Sequence, residues 1–287
     1  MGLITNILFP VDFSPSCLAM GAYAHRVATL FGARVSLLHI VDPARYNAFE
    51  LFVRSPSDVT DDHLDLAREK LASFLSKTFP PTEHPRIVAA GDPATHIATT
   101  ARKGFDAIIM PTHAGVFRRM LLGSTTAKVL NDAHCPVITS HHAETIAPRP
   151  LEHRELLCAI GLGDNSERVL RYAHQAASEI HADLRVLHAI PETDARLPIR
   201  LDIKQQIESH ERELVLRRIG ELQANVGSHA QVSIAAGPVK EALLEAARQS
   251  DADALIIGRS AQPGSLGRLR DLTYAMVRDS PFAVLSV

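Results

Sequence analysis

The 287-residue chain is 46% hydrophobic and 22% charged, with a formal net charge of -2 at pH 7, so it has room for one large domain or two of ordinary size. Charge so near zero supplies no electrostatic pull toward nucleic acid or an anionic membrane, and no apolar run approaches the roughly 20 residues of a membrane-spanning helix. Three widely spaced cysteines, Cys17, Cys135 and Cys158, form no C-x-x-C pair and cannot all be bridged, which suits a reducing, cytoplasmic compartment.

The opening residues, MGLITNILFPVDFS, lack the charged start and long apolar middle of a secretion signal. Ile4 to Val11 within them reads as a first strand. Ser14-Pro15 then supplies a cap with proline at the first helical position. Met20, Ala24, Val27 and Phe31 recur at helical spacing behind it. Arg34 to Val41 is a second strand. The stretch Asp42 to Thr60, with Pro43 and Pro56, reads as an irregular excursion, and Asp61 to Phe79 as a helix stopped by Pro80-Pro81. Arg86 to Ala90 is a third strand, and Asp92-Pro93 starts another helix by the same cap-plus-proline device. Ala107 to Met110 is a short apolar run, as in a buried parallel strand. A loop with Thr112, His113, Gly115, Arg118 and Arg119 follows. Gly123 then interrupts the chain, Ser124 is placed to cap a helix that continues through Thr125 and Thr126, and Val137 to Thr139 forms a fifth strand.

The pattern then starts again. ILFPVDFSPSCLAMGAYAHRVATLFGARVSLLHIVDP from Ile7 aligns without a gap on LLCAIGLGDNSERVLRYAHQAASEIHADLRVLHAIPE from Leu156. Tyr23-Ala24-His25 meets Tyr172-Ala173-His174, and Leu38-His39 meets Leu187-His188. Val169, Ala173, Ala176 and Ile180 repeat the first helix's apolar stripe. A long helix, about Leu201 to Asn225, and a last strand, Phe282 to Val287, complete the second copy. Domain-sized copies indicate a tandem duplication. The domains are expected at residues 1–142 and 154–287, with the proline-containing segment 143–153 as linker.

Alternating strands and helices with apolar strands predict an α/β fold in each copy, a parallel sheet between helices. Ligands of such sheets bind beyond the carboxyl ends of the strands, where the strand order reverses. That rule selects Val11-Asp12, Val41-Asp42 and the loop after Met110. Hydroxyls and a helix N-terminus directly after a parallel strand also suit an anion. Each residue has a plainer reading too. Asp12 would also serve as a loop carboxylate near a helix cap, Gly123-Ser124 as an ordinary helix start, His113 as a solvated loop histidine, and Arg118-Arg119 as a charged turn. Fifteen histidines show no convincing metal-ligand spacing. His39 and His188, flanked by apolar residues at equivalent strand positions, are expected to be buried and held by hydrogen bonds. No Ser/His/Asp order, close carboxylate pair or G-x-x-x-x-G-K-[ST] is present, so no catalytic activity is expected.

The segment DAIIMPTHAGVFRRMLLGSTTAKVLNDAHCPVITS resembles the C-terminal half of a universal stress protein domain, whose nucleotide loop is written G-x2-G-x9-G-[ST]. Gly123-Ser124 matches the end of that loop, while Pro111 and Ala114 stand near its first two glycines. The resemblance runs over nearly the whole chain and implies two tandem copies of a five-stranded, Rossmann-like parallel sheet in strand order 3-2-1-4-5. It implies an adenine nucleotide, ATP or AMP, held without a metal by Val11, Asp12, Val41, Met110, Thr112, His113, Gly115, Gly123, Ser124, Thr125 and Thr126. It further implies a cytoplasmic stress-response regulator with little or no hydrolysis, pairing of the two copies through strand five, and homodimers. In the second copy Gly161 answers Asp12, and Arg270-Asp271 answers Gly123-Ser124. The alternative is a dimerisation scaffold with both pockets degenerate. An adenylyl-transferring enzyme is opposed by FSPS, which stands where an H-x-G-H type motif is wanted.

Overall fold

The computed structural model describes residues 2–112, 122–140, 154–191, 201–250, 252–259, 266–280 and 282–287. The chain divides into two compact units, Met1–Leu151 and Glu152–Val287.

The first unit runs β1 (Asn6–Pro10), α1 (Pro15–Phe31), β2 (Arg34–Val41), a 3-10 turn (Pro43–Arg45), α2 (Ala48–Val53), α3 (Pro56–Ser73), β3 (Arg86–Ala90), α4 (Pro93–Ala101), β4 (Ala107–Pro111), α5 (Ser124–Asp132) and β5 (Val137–Ser140). Its strands lie in the order β3-β2-β1-β4-β5, every pairing parallel. The order reverses between β1 and its two neighbours. Ile7, Leu8, Phe9, Leu37, Leu38, Ile108 and Ile109 are fully buried, as strands covered on both faces require. Helix α1 supplies Met20, Ala24 and Val27 to this core.

Two expectations change here. The excursion after β2 is largely helical. Asn47 and Glu50 form a capping box that starts α2, and Ser55, Pro56 and Asp58 start α3 before Asp61. Helix α3 also stops early, at Ser73. Leu75 turns left-handed with φ 52°, and the chain then carries Phe79 into the core at 0% exposure. The burial gained by that ring outweighs continuation of the helix.

The second unit runs β6 (Glu155–Ala159), α6 (Ser166–Ile180), β7 (Asp183–Ile190), α7 (Leu201–Val226), β8 (Gln231–Ala236), α8 (Val239–Gln249), β9 (Ala254–Ile257), α9 (Leu266–Asp279) and β10 (Ala283–Ser286). Its order, β8-β7-β6-β9-β10, repeats the first, again all parallel. The copies share devices that hold the fold. The Asp106 carboxylate accepts from the N–H groups of Thr5 and Asn6, at 2.8 and 2.9 Å, pinning β1 to β4. Asp253 does the same for Arg154 and Glu155. Helix α1 ends on Gly32 with φ 62°, and α6 ends on His181 with φ 56°.

Candidate functional site

The carboxyl ends of β1, β2 and β4 in the first unit meet where the strand order reverses. Val11 continues β1, is 5% exposed, and donates its N–H to Leu38 O at 2.8 Å. Asp12 follows with its outer edge open to solvent. Its Oδ1 accepts from Ser14 N at 2.9 Å, while the Ser14 hydroxyl accepts from Cys17 N and caps α1. Neighbouring protein works against ionisation of Asp12. Hydrogen bonds from the Ser14 hydroxyl, the Cys17 thiol and the Ser14 N–H outweigh it and hold the carboxylate below its ordinary range. Burial, reinforced by the Asp12 charge, pushes the Cys17 thiol up to about 12, so that thiol stays protonated. This site thus presents one ionised carboxylate and no thiolate.

Phe13, next in the chain, is left-handed with φ 61°, a conformation that costs a non-glycine residue on the order of 1–2 kcal/mol. Its ring lies 4.3 Å from the His39 ring and 5.3 Å from that of Phe74. Lys70 Nζ stands 4.4 Å from its centroid. Half-buried His39 donates from Nδ1 to Val11 O at 2.8 Å. Burial lowers the His39 pKa, against the pull of the Val11 carbonyl and Asp12. Phe13, Lys70 and Phe74 escape a sequence reading. Lys70 lies on α3 and Phe74 is its C-cap, so both arrive only through the fold, and the sole sign of Phe13 is its place beside Asp12.

On the other side of β1, Met110 and Thr112 are buried, at 5% and 1% exposure. Gly123 N donates to Thr112 O at 3.1 Å, so the chain returns to the top of β4 where it left. His113, Gly115, Arg118 and Arg119 lie outside the described residues. Gly123, not Ser124, is the N-cap of α5. The helix starts at Ser124, which is exposed, and no side chain caps it. By contrast α1, α3 and α4 are capped by Ser14, Ser55 and Asp92. The first-turn N–H groups of α5, those of Ser124, Thr125 and Thr126, therefore point outward without a capping side chain, as an anion requires. The Thr126 side chain is 4% exposed. Its hydroxyl donates to Pro111 O at 3.3 Å, tying α5 to β4. Val41 is 8% exposed and its carbonyl accepts from Gly91 N.

The second unit repeats parts of this scaffold. His188 Nδ1 lies 2.8 Å from Ile160 O, Leu162 is left-handed with φ 58°, and Thr273 Oγ1 donates to Gly258 O at 3.5 Å. Gly161 offers no carboxylate. Asn165, the N-cap of α6, instead donates from Nδ2 to Arg259 O at 3.3 Å, tying the start of α6 to the chain just after β9. The side chains of Arg270 and Asp271 lie outside the described residues. All three cysteines are buried and none is in a disulfide. Among the described residues there is no group of three or more metal-binding side chains, and no helix long and apolar enough to cross a membrane.

Comparison with known proteins agrees with the duplication. The model of the Universal stress protein family matches twice, at residues 4–141 and 152–287. A universal stress protein of Mycobacterium tuberculosis strain H37Rv is 28% identical over 197 residues, covering 66% of this chain and 65% of the relative. The chain thus spans just under two thirds of that relative's length. One from Methanocaldococcus jannaschii is 29% identical over 144 residues, covering 47% of this chain and 81% of the relative. The crystal structure of a universal stress protein from Archaeoglobus fulgidus, 20% identical, superposes with a TM-score of 0.70 over 98% of this chain and 97% of that one, a likeness of fold.

Proposed function

The chain belongs to the universal stress protein family, and on that premise we propose that its first unit binds an adenine nucleotide, ATP or AMP, in a cytoplasmic stress-response regulator that turns the nucleotide over slowly or not at all. The observation that carries this reading is the convergence of two groups of opposite character at one switch point. Asp12 offers an ionised acceptor to ribose hydroxyls and the base amino group. The side-chain-free N-terminus of α5 offers N–H donors to phosphate. Val11, Val41 and Met110 supply apolar wall between them, and Thr112, Gly123 and Thr126 fix the geometry at the base of the loop that carries His113 and Gly115.

Calorimetric titration of ATP and of AMP into nucleotide-free protein tests the reading. We expect one site per chain, weakened by about tenfold or more in Asp12→Ala, since a hydrogen bond to a charged group is worth ~1.5–3 kcal/mol. A dimerisation scaffold is the second reading. It is favoured by Pro111 and Ala114 in place of loop glycines and by the internal use of the Thr126 hydroxyl. Absence of binding by either nucleotide up to roughly millimolar concentration would leave that reading in front, and light scattering of the same sample reads the homodimer.

A further inference from the structure

We propose that the second unit carries a separate binding site for a small zwitterion, a molecule of the α-amino acid class, at the amino ends of β6, β7 and β8. This is the end of the sheet opposite to the nucleotide reading, and the inference stands independently of it.

The duplication makes the site visible. In the first unit this end is closed by Phe79, fully buried, with its ring 6.2 Å from Phe9, 5.8 Å from His25 and 5.1 Å from His84. Arg86 Nη2 donates to Phe79 O at 2.6 Å and locks it there. In the second unit Cys158 stands in place of Phe9 and His174 in place of His25. The segment 227–230, Gly-Ser-His-Ala, replaces the longer 74–85 and contains no counterpart of Phe79. A cavity of about 590 Å³ lies at this end of the second unit, lined by His174 and by Ser228, His229 and Ala230 of the short segment, within the ~300–1,000 Å³ of small-molecule sites.

Its wall is polar where the face of a sheet under a helix is ordinarily apolar. Glu155 of β6 and Asp183 of β7 lie directly opposite each other in register, an arrangement of like charges that costs stability. Arg185 relieves half of it, with Nε 2.9 Å from Glu155 Oε1. Arg185 Nε is buried and committed to Glu155 while the side chain as a whole is 35% exposed, which leaves the pair of Nη groups to meet a ligand. Their fork matches a carboxylate. His174 and His229 line the cavity beside it, and Asp183 lies exposed at its edge. A simple anion would meet two carboxylates here, and a simple cation would meet the guanidinium. A molecule bearing an ammonium and a carboxylate a few bonds apart meets Asp183 with the first and the Arg185 fork with the second.

The wall is already formed. Ser228 N donates to Gln223 O at 2.9 Å, Gln223 Nε2 to Ala230 O at 2.7 Å, and Ala230 N to Ser228 Oγ at 3.3 Å. Pre-organisation of this kind lowers the cost of binding.

The test uses the full chain, titrated with each standard amino acid and with acetate and methylamine, followed by backbone amide NMR shifts. We expect at least one amino acid to bind saturably, moving amides around 155, 183–185 and 228–231. Arg185→Gln should weaken it by about tenfold or more. Because Arg185→Gln also unpairs Glu155, a second variant, Ser178→Trp, fills the cavity from an exposed position on α6 and should abolish binding. Asp12→Ala should leave it unchanged, which separates this result from the nucleotide titration. The proposal is overturned if no amino acid binds up to ~10 mM, if binding survives Ser178→Trp, or if acetate or methylamine binds as well as the zwitterion.

Discussion

At the scale of single residues, the histidine at the end of β2 best connects position to chemistry. His39 was legible as a hydrogen-bonded strand histidine because apolar neighbours leave an imidazole few alternatives, and Val11 O is the partner the fold provides. It is half-buried, less than the expectation. Burial lowers its pKa beneath the ordinary 6.5, so over the window just below 6.5 the unfolded chain binds a proton that the folded chain does not. Stability should therefore fall as pH drops through that window and be recovered as pH rises above it. Urea unfolding at a series of pH values checks this, and His39→Gln should flatten that part of the profile. Asp106 adds a second acid-side loss. Burial opposes its ionisation, but three hydrogen bonds from Thr5 and Asn6 win and lower its pKa from 3.8, so its contribution disappears only as pH falls below that ordinary value. Phe13 was not legible at all. A left-handed phenylalanine has no sequence signature, and its partners Lys70 and Phe74 come from a different element.

At the scale of elements, the caps were read well where the signal stood alone and poorly where it was crowded. Ser14-Pro15 and Asp92-Pro93 start α1 and α4 as their chemistry dictates. Ser55-Pro56 carries the same signal and starts α3, but the prolines around it suggested an irregular stretch instead. Ser124 was read one residue too late. The chain turns at Gly123, and the serine hydroxyl falls inside the helix, where it cannot reach the free N–H groups. The two C-caps give a direct measure of what left-handed backbone costs. Gly32 and His181 adopt nearly the same conformation at the ends of equivalent helices, and only glycine does so freely. His181→Gly should stabilise the protein by about 1 kcal/mol, and the reciprocal Gly32→His should destabilise it by a similar amount, both measured by denaturant midpoint at constant slope.

At the scale of the molecule, the two units separate what the fold needs from what the site needs. The carboxylate staples, the threonine bonds from helix to strand end and the left-handed residue after β1 and β6 occur in both. The carboxylate directly after the first strand, Asp12, has Gly161 as its counterpart, and the second unit instead ties Asn165 to Arg259 O. The duplication was thus legible from the aligned repeat and the strand order from the family resemblance, while the Asn165–Arg259 bond, a contact between residues far apart in sequence, was not. Hydrogen exchange with and without ATP should show added protection near 11–14 and 123–127 and none near 160–163 or 272–274; equal protection in both units would count against a single site. The paired imidazoles turn this contrast into an instrument. His39 and His188 make the same bond to the same carbonyl of the repeat, at 2.8 Å each, so the two rings are held alike by the backbone. A ligand settling beside Asp12 would displace one resonance and leave its twin still, and the molecule would carry its own reference standard into every titration.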